Sequence, residues 1–237
     1  MTEPGSFRRK LGAIGFAGLT ALLASCSPKT EAPGPKTPEA STPAVTLKVP
    51  AGTYELDVNH AYLVWTIEHF GVSHYMARFA KLDATLTLDP ANLTASKVSA
   101  TIDPLSVRTI YEGDYKATHP KSEYPTWDAE LARSPLFLNG GKFPQITFTS
   151  TKVEQSGPRT GRMTGDLTFL GVTRPVTLDV TFVGDLASHP MRHVPVIGFS
   201  ARGEFKRSDF GMPAGGPLGD LVTIAFDGEF SGQPPQN

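Results

Sequence analysis

Three histidines that are close in sequence are the first candidates for chemistry, because imidazole is the commonest protein ligand of transition metals. His60, His69 and His74 accompany an alternating apolar segment. No carboxylate stands at helical ligand spacing beside them, so we predict no metal site. We instead expect His60 and His74 to be turn residues. His69 shares a strand face with Trp65, and we expect it to hydrogen-bond in the interior or near the polar end of a ligand.

The triplet Arg207-Ser208-Asp209 has two interpretations. In the structural one, Asp209 accepts hydrogen bonds from backbone N–H groups at a turn, and Arg207 pairs with a neighbouring carboxylate. In the functional one, Arg207 contacts an anionic group of a ligand, together with Arg174 or Arg78. We favour the structural interpretation and keep the three arginines as candidate anion contacts.

No known catalytic motif occurs in the chain. It contains no Gly-x-Ser-x-Gly turn, no zinc-protease motif and no phosphate-binding glycine loop, so we expect a protein that is not an enzyme. The 22 Lys and Arg against 23 Asp and Glu give a net charge of -1, which argues against a nucleic-acid partner. The single cysteine excludes a disulfide framework.

The N-terminal residues are typical of an export signal. A basic start at residues 7–10 precedes the uncharged segment Leu11–Ala24, which is short for a membrane span. The four residues Leu-Ala-Ser-Cys that end at Cys26 resemble a bacterial lipobox. We therefore expect residues 1–25 to be a lipoprotein signal peptide and Cys26 to be lipidated. The alternative is an ordinary secretory signal with a chance cysteine near the cut.

This signal predicts a protein that is exported and lipid-anchored in the bacterial cell envelope, on the periplasmic side. Ser27 follows the cysteine where an Asp would retain a lipoprotein in the inner membrane, so the outer membrane is favoured. Residues 26–50 are rich in proline and poor in apolar residues, which predicts an extended stalk. The folded domain is predicted to span residues 51–232.

Alternation of apolar and polar residues dominates the predicted domain. It is clearest in residues 63–69, 98–102, 146–150, 167–182, 199–205 and 222–230. This period of two predicts seven or eight half-buried strands in an all-β fold. The pattern leaves open whether the strands close into an antiparallel barrel or pack as a sandwich. One segment, Trp127–Arg133, has a helical pattern, with acidic residues early and an arginine at its end.

Three motifs occur in a fixed order along this domain. They are YELDVNHAYLVWTIEHFGVSHYMARF at 54–79, GDLTFLGVTRPVTL at 165–178 and FKRSDFGM at 205–212. Together with the segments at 96–103 and 142–151, they resemble the YceI-like family of lipid-binding proteins. The resemblance implies a closed antiparallel lipocalin-like β-barrel with a short helix in a loop.

The resemblance also implies a ligand. It is a polyisoprenoid lipid, of the polyprenyl phosphate or isoprenoid quinone type, held in an apolar tunnel for carriage or storage in the cell envelope. No other cofactor is expected, and the oligomeric state is left open. The candidate tunnel wall is Leu63, Trp65, Ile67, Phe79, Ile102, Phe148, Leu167, Phe169, Phe199 and Phe205. The candidate head-group contacts are His69, Arg78, Arg174 and Arg207.

Two other functions stay open on the sequence. A barrel filled by its own side chains would be an adhesion or assembly module, and a metal- or redox-linked accessory to quinone chemistry is a third possibility. The chain departs from the family pattern between Thr109 and Ser134, where it is longer by about a dozen residues. This insertion is either a lid or a surface loop, and we expect a loop.

Overall fold

The computed structural model describes residues 45–233. The predicted signal peptide, the predicted lipidation site Cys26 and most of the predicted stalk lie outside the described residues. Within 45–233, no helix is long and apolar enough to cross a membrane.

The chain forms a closed antiparallel barrel, which confirms the predicted fold class. The strands are β1 (Gly52–His69), β2 (Ser73–Phe79), β3 (Leu82–Leu88), β4 (Lys97–Ile102), β5 (Val107–Thr109), β6 (Ile146–Gln155), β7 (Thr160–Phe169), β8 (Val172–Leu186), β9 (Val196–Lys206) and β10 (Leu218–Gly232). The ring runs β1-β10-β9-β8-β7-β6-β4-β3 and closes where β3 pairs with β1. Eight of the ten described strands therefore form the barrel. Because the ring is closed, each of these eight strands pairs with a neighbouring strand on both sides.

Strand β1 is the longest strand of the described chain and has three partners. On one side it pairs with β10, from Tyr54 opposite Gly232 to His69 opposite Leu218. On the other side, its first residues pair with β3 and residues 63–69 pair with β2, which in turn carries the short strand β5. We call the end of the barrel where β1 ends the upper end, and the end where β1 begins the lower end.

Two short α-helices lie in the connection from β5 to β6. Helix α2 (Trp127–Arg133) has the predicted bounds, and it begins where the Thr126 hydroxyl accepts a hydrogen bond from the Ala129 amide at 3.1 Å. Helix α1 (Tyr115–Thr118) was not predicted, because it is a single turn. The Asp114 side chain caps it by accepting from the Ala117 amide at 3.1 Å.

Inward-facing residues form two clusters of buried side chains, one towards each end. Phe79, Phe148 and Phe169 belong to the upper cluster. Tyr54 and Phe230 belong to the lower cluster, where Tyr54 is 1% exposed. Both clusters lie within one compact unit, to which all the described residues 45–233 belong.

The hairpin between β7 and β8 turns through Leu170 and Gly171, in agreement with the predicted turn at Gly171. Both residues have positive φ, +50° and +76°. Two successive positive φ values are the mark of a type I′ turn, whose twist matches that of the flanking strands.

The segment just before β1 is fastened to the lower end of the barrel. The backbone amides of Lys48 and Val49 both donate to Oδ2 of Asp185 on β8, the second at 3.2 Å. Val49 is 3% exposed and belongs to the lower cluster. Residues 45–50, the described part of the predicted stalk, therefore lie against the barrel, while the domain boundaries themselves stay predictions.

Candidate ligand-binding cavity

A cavity of about 730 Å³ runs through the barrel between its two ends. Its wall consists almost entirely of apolar side chains from the inward faces of the strands. The volume falls in the range of 300–1,000 Å³ that is usual for ligand pockets. A ligand without hydrogen-bonding groups matches such a wall, because the wall offers it few polar partners.

All ten residues that the sequence nominated for the tunnel wall line this cavity. They are Leu63, Trp65, Ile67, Phe79, Ile102, Phe148, Leu167, Phe169, Phe199 and Phe205. Each follows the strand alternation that placed it on the apolar face. Their contact with a lipid stays a prediction.

The wall contains one buried donor without a partner. The indole Nε1 of Trp65 is buried and has no hydrogen-bond acceptor among the described residues. A buried N–H without an acceptor destabilises the fold by about 1–3 kcal/mol. Trp65 therefore contributes apolar aromatic surface to the cavity wall and makes no side-chain hydrogen bond within the described part of the chain.

Aromatic residues surround the upper opening of the cavity. Trp127 of α2 donates from Nε1 to the Tyr75 hydroxyl of β2 at 2.9 Å, and the two rings meet edge to face. Phe70, in the turn after β1, lines the opening and is 67% exposed. Its backbone amide donates to the Pro217 carbonyl at 2.6 Å, which joins two loops of the upper end.

The insertion supplies three further residues of this opening, and sequence analysis did not nominate them. Tyr111, Tyr115 and His119 all line the cavity. The Tyr115 ring stacks on His119 at 4.4 Å, and its hydroxyl donates to Glu130 of α2. Burial, and then this hydrogen bond, raise the pKa of Tyr115 above its ordinary value. The spacing of four between these three rings was the signal that could have identified them.

The insertion is therefore part of the cavity wall rather than only a surface loop. The expectation of a plain loop is wrong, because Tyr115 is 5% exposed and packs among cavity-lining rings. A buried tyrosine fixes the segment that carries it. The insertion thus adds the rings of Tyr111, Tyr115 and His119 to the cavity wall.

All three histidines lie on strands, His60 and His69 on β1 and His74 on β2. His69 lines the upper opening, and its ring meets Phe70 edge to face at 4.7 Å. His60 and His74 are strand residues of β1 and β2, so their prediction as turn residues is wrong. His60 lies where the pairing of β1 with β10 shifts register between Leu56 and Ala61, and this irregularity interrupts the alternation that marks a strand.

His60 belongs to a polar cluster on the outside of the lower end. Its Nδ1 lies 2.9 Å from Oδ2 of Asp57, and candidate ligand atoms of Asp57, His60 and Glu229 lie within 4.8 Å of one another. The Arg192 guanidinium already pairs with both carboxylates, with Glu229 at 3.3 Å. The single positive charge of Arg192 thus offsets one of the two carboxylate charges, and charge-assisted hydrogen bonds hold the cluster together.

Arg207 lines the upper end of the cavity and is 5% exposed. Its guanidinium donates to the carbonyls of Gly219, Gly215 and Leu218 at 2.8, 3.1 and 3.0 Å. These bonds support the structural interpretation of Arg207, with backbone carbonyls in place of the expected carboxylate. Three of its five N–H groups are thus engaged by the protein, through Nε and Nη2, which leaves the two of Nη1.

The turn next to Arg207 is held by a different acid from the one predicted. Asp220 accepts hydrogen bonds from the Ser208 amide at 3.0 Å and the Ser208 hydroxyl at 2.8 Å. These bonds lower the pKa of Asp220. Asp209, which the sequence nominated as acceptor, is exposed and makes none of these bonds.

The structure does not place Arg78 and Arg174 on the cavity wall. Arg78 lies on β2 between the buried residues Ala77 and Phe79, so strand alternation turns it outward. Arg174 is exposed next to the β7–β8 turn, and its Nη1 donates to the Thr173 carbonyl at 3.2 Å. A contact of either residue with a head group stays a prediction.

The lower opening has a polar character that the sequence did not indicate. The turn between β6 and β7 contributes Arg159 to the opening, and Glu154 and Arg162 stand on the strands beside it. Leu47, from the segment before β1, lines the same end. Residues in turns do not follow the apolar–polar alternation of strands, so the sequence pattern did not indicate Arg159 as a cavity residue.

An eight-stranded antiparallel barrel that encloses an apolar cavity defines the chain as a lipocalin-like barrel protein. Residues 54–230 match the family model of the YceI-like domain. The chain belongs to the YceI-like family.

Relatives of known sequence or structure agree with this assignment. "Protein YceI" of Escherichia coli O157:H7 is 36% identical over 182 residues, which cover 76% of this chain and 86% of the relative. The crystal structure of the YceI protein of Campylobacter jejuni is 28% identical, with a TM-score of 0.57 over 70% of this chain and 90% of that one. A domain of Saccharophagus degradans described as polyisoprenoid-binding has a TM-score of 0.53 at 13% identity, over 76% of this chain and 98% of that one.

Proposed function

We propose that this protein binds a polyisoprenoid lipid in its barrel cavity and carries or stores it in the cell envelope. The observation that carries the proposal is the apolar cavity of about 730 Å³ inside the closed barrel. Each buried methylene of a lipid contributes about 0.8 kcal/mol. Ordering a flexible tail opposes this gain and sets the net affinity.

The choice of an isoprenoid over another lipid is supported by the comparisons. The structural relative from Saccharophagus degradans is described as polyisoprenoid-binding, and its likeness to this chain is one of fold. The aromatic and branched side chains of the wall are suited to a methyl-branched tail, which packs against them without a hydrogen-bonding requirement. The role is binding rather than catalysis.

Anchoring in the envelope is part of the proposal and rests on the sequence. Export followed by lipidation of Cys26 would hold the barrel near a membrane, since multiple acyl chains on one residue give durable membrane association. Periplasmic placement, with the outer membrane favoured, follows from the same residues. Incorporation of labelled palmitate into the full chain, and its loss in Cys26→Ser, tests this part independently of the cavity.

A self-filled barrel that serves as an adhesion or assembly module was the competing function. Such a barrel would have its interior occupied by its own side chains, as small barrels do. The open cavity counts against it.

The test is native mass spectrometry of the chain from residue 45 onward, produced in bacteria, with organic extraction of any bound lipid. A matched pair of variants locates the binding. Ala100→Phe places a ring in the cavity from β4, whereas Ser99→Phe places the same ring on the outer face of that strand. We expect a stoichiometric isoprenoid in the wild type and in Ser99→Phe, and its loss in Ala100→Phe. A protein that is empty and also refuses added isoprenoids would refute the proposed function.

A further inference from the structure

Arg159 lies at the lower opening of the cavity and is held in place by β8. Its carbonyl accepts a hydrogen bond from the Phe182 amide at 2.8 Å, and its Nε donates to the Phe182 carbonyl at 3.2 Å. Its Nη2 donates to the Val183 carbonyl. The guanidinium carbon is 4.6 Å from the centre of the Phe182 ring, which itself lines the cavity. Both backbone and side chain of Arg159 are thus oriented before any ligand arrives.

This guanidinium keeps donor capacity for a ligand. An arginine has five N–H groups, and two of those of Arg159 donate to carbonyls, which leaves three. Arg159 makes no ion pair with any carboxylate in the described part of the chain. Its positive charge is therefore available to an anion.

The other arginines that line the cavity are already engaged. Arg162 pairs with Asp179 at 3.5 Å, and Arg207 donates to three carbonyls at the upper end. Among the cavity-lining residues, Glu154 is the acid nearest to Arg159 in sequence. Its carboxylate lies 2.7 Å from the ammonium of Lys152. That pairing reduces the competition of Glu154 for Arg159.

We propose that Arg159 is a head-group site for a lipid with a terminal phosphate, so that the head lies at the lower opening and the tail extends up the tunnel. The planar fork of a guanidinium binds the oxygens of a phosphate in pairs, and a neutral quinone ring would leave its charge unused. The inference rests on the proposed function and adds to it the class of head group and the direction of the bound lipid. It replaces the upper-end arginines as head-group contacts.

The experiment compares two ligands with the same tail, farnesyl monophosphate and farnesol, against the chain from residue 45 onward. Both tryptophans of the sequence, Trp65 and Trp127, line the cavity, so intrinsic fluorescence reports binding of either ligand. The variants are Arg159→Gln, Arg159→Lys and the control Arg174→Gln, which removes the same charge from the opposite end of the barrel.

We expect Arg159→Gln to weaken the binding of farnesyl monophosphate about tenfold or more, as for loss of a charge-assisted hydrogen bond, and to leave farnesol within about twofold. Arg159→Lys should keep part of the preference for farnesyl monophosphate over farnesol, and Arg174→Gln should keep all of that preference. Unchanged farnesol affinity also shows that the variant is folded.

Several results would overturn the head-group site. The first is that Arg159→Gln weakens the binding of both ligands equally, and the second is that it weakens the binding of neither. The third is that Arg174→Gln weakens the binding of farnesyl monophosphate as much as Arg159→Gln does. A wild type that binds the two ligands equally well refutes the site while the proposed function stands. A wild type that binds neither refutes the proposed function, and the site with it.

Discussion

Replacement of Arg207 by methionine separates the two roles that the sequence allowed for this residue. The buried guanidinium donates to three carbonyls of the loop and strand that follow it, at 2.8–3.1 Å. Methionine keeps most of the apolar stem and provides no donor. The variant therefore removes the hydrogen bonds with little change in packing.

The expected loss follows from these bonds. At about 1 kcal/mol each, three hydrogen bonds contribute about 3 kcal/mol to the free energy of unfolding. With a urea dependence of about 2 kcal/mol per molar, this loss lowers the unfolding midpoint by about 1.5 M. Arg207→Lys, which can reach one carbonyl, should lose about 2 kcal/mol. The exposed control Arg174→Met should change stability by no more than about 0.5 kcal/mol.

The assay is urea unfolding followed by tryptophan fluorescence, combined with the affinity for farnesyl monophosphate and farnesol. Our reasoning predicts a large loss of stability, and equal effects on the two ligands in the folded variant. A change in stability below about 0.5 kcal/mol would refute the structural role. Unchanged stability with selective loss of the phosphate ligand would identify Arg207 as the anion contact instead.

Three further predictions concern the wall and the lower end. Trp65→Phe removes a buried indole N–H that has no acceptor among the described residues, so thermal unfolding should show no loss of stability; a loss above about 2 kcal/mol would mean that the indole has a partner. Gly165→Ala should destabilise by about 1–3 kcal/mol, because the added Cβ would lie 2.7 Å from the Thr149 carbonyl oxygen; a neutral result would show that the strands can shift. Burial raises the pKa of Asp57, but the hydrogen bond from His60 and the other polar contacts outweigh it and lower the pKa below 3.8. The stabilisation by the ionised Asp57 is therefore fully present above that value and is lost as the pH falls through the folded-state pKa. Between about pH 5 and about pH 3, the free energy of unfolding in urea should fall less in Asp57→Asn than in the wild type.

The strands and the tunnel wall were predictable because they depend on a local period. Val176, Leu178, Val180 and Phe182 alternate along β8, and all four line the cavity as their pattern indicated. Whether the sheet closed was not predictable from this period. Closure depends on the pairing of β1 with β10, which are distant in sequence, and the family resemblance rather than the pattern decided it.

The polar residues of the site were predicted less well, because their environment is set by contacts that are distant in sequence. Arg159 lies in a turn whose sequence suggests only a solvated loop, and its position depends on Phe182 of another strand. Tyr115 packs against Trp127 and Glu130 of α2 as well as against its sequence neighbour His119, and the contacts with α2 had no local signal. Arg78 was nominated by residue type alone, and strand alternation would have turned it outward.

The pairing of the first strand with the last has a consequence for folding kinetics. Leu63 lies opposite Phe226, so the ring closes only when the C-terminal strand has been made. Contacts between residues so far apart in sequence form slowly, since a long loop must be ordered before they are gained. The barrel therefore stays open, with its apolar faces exposed, until synthesis of the chain is almost complete. That delay makes the β1–β10 seam the last part of the ring to form, and it makes the incomplete barrel prone to aggregation until the seam is paired.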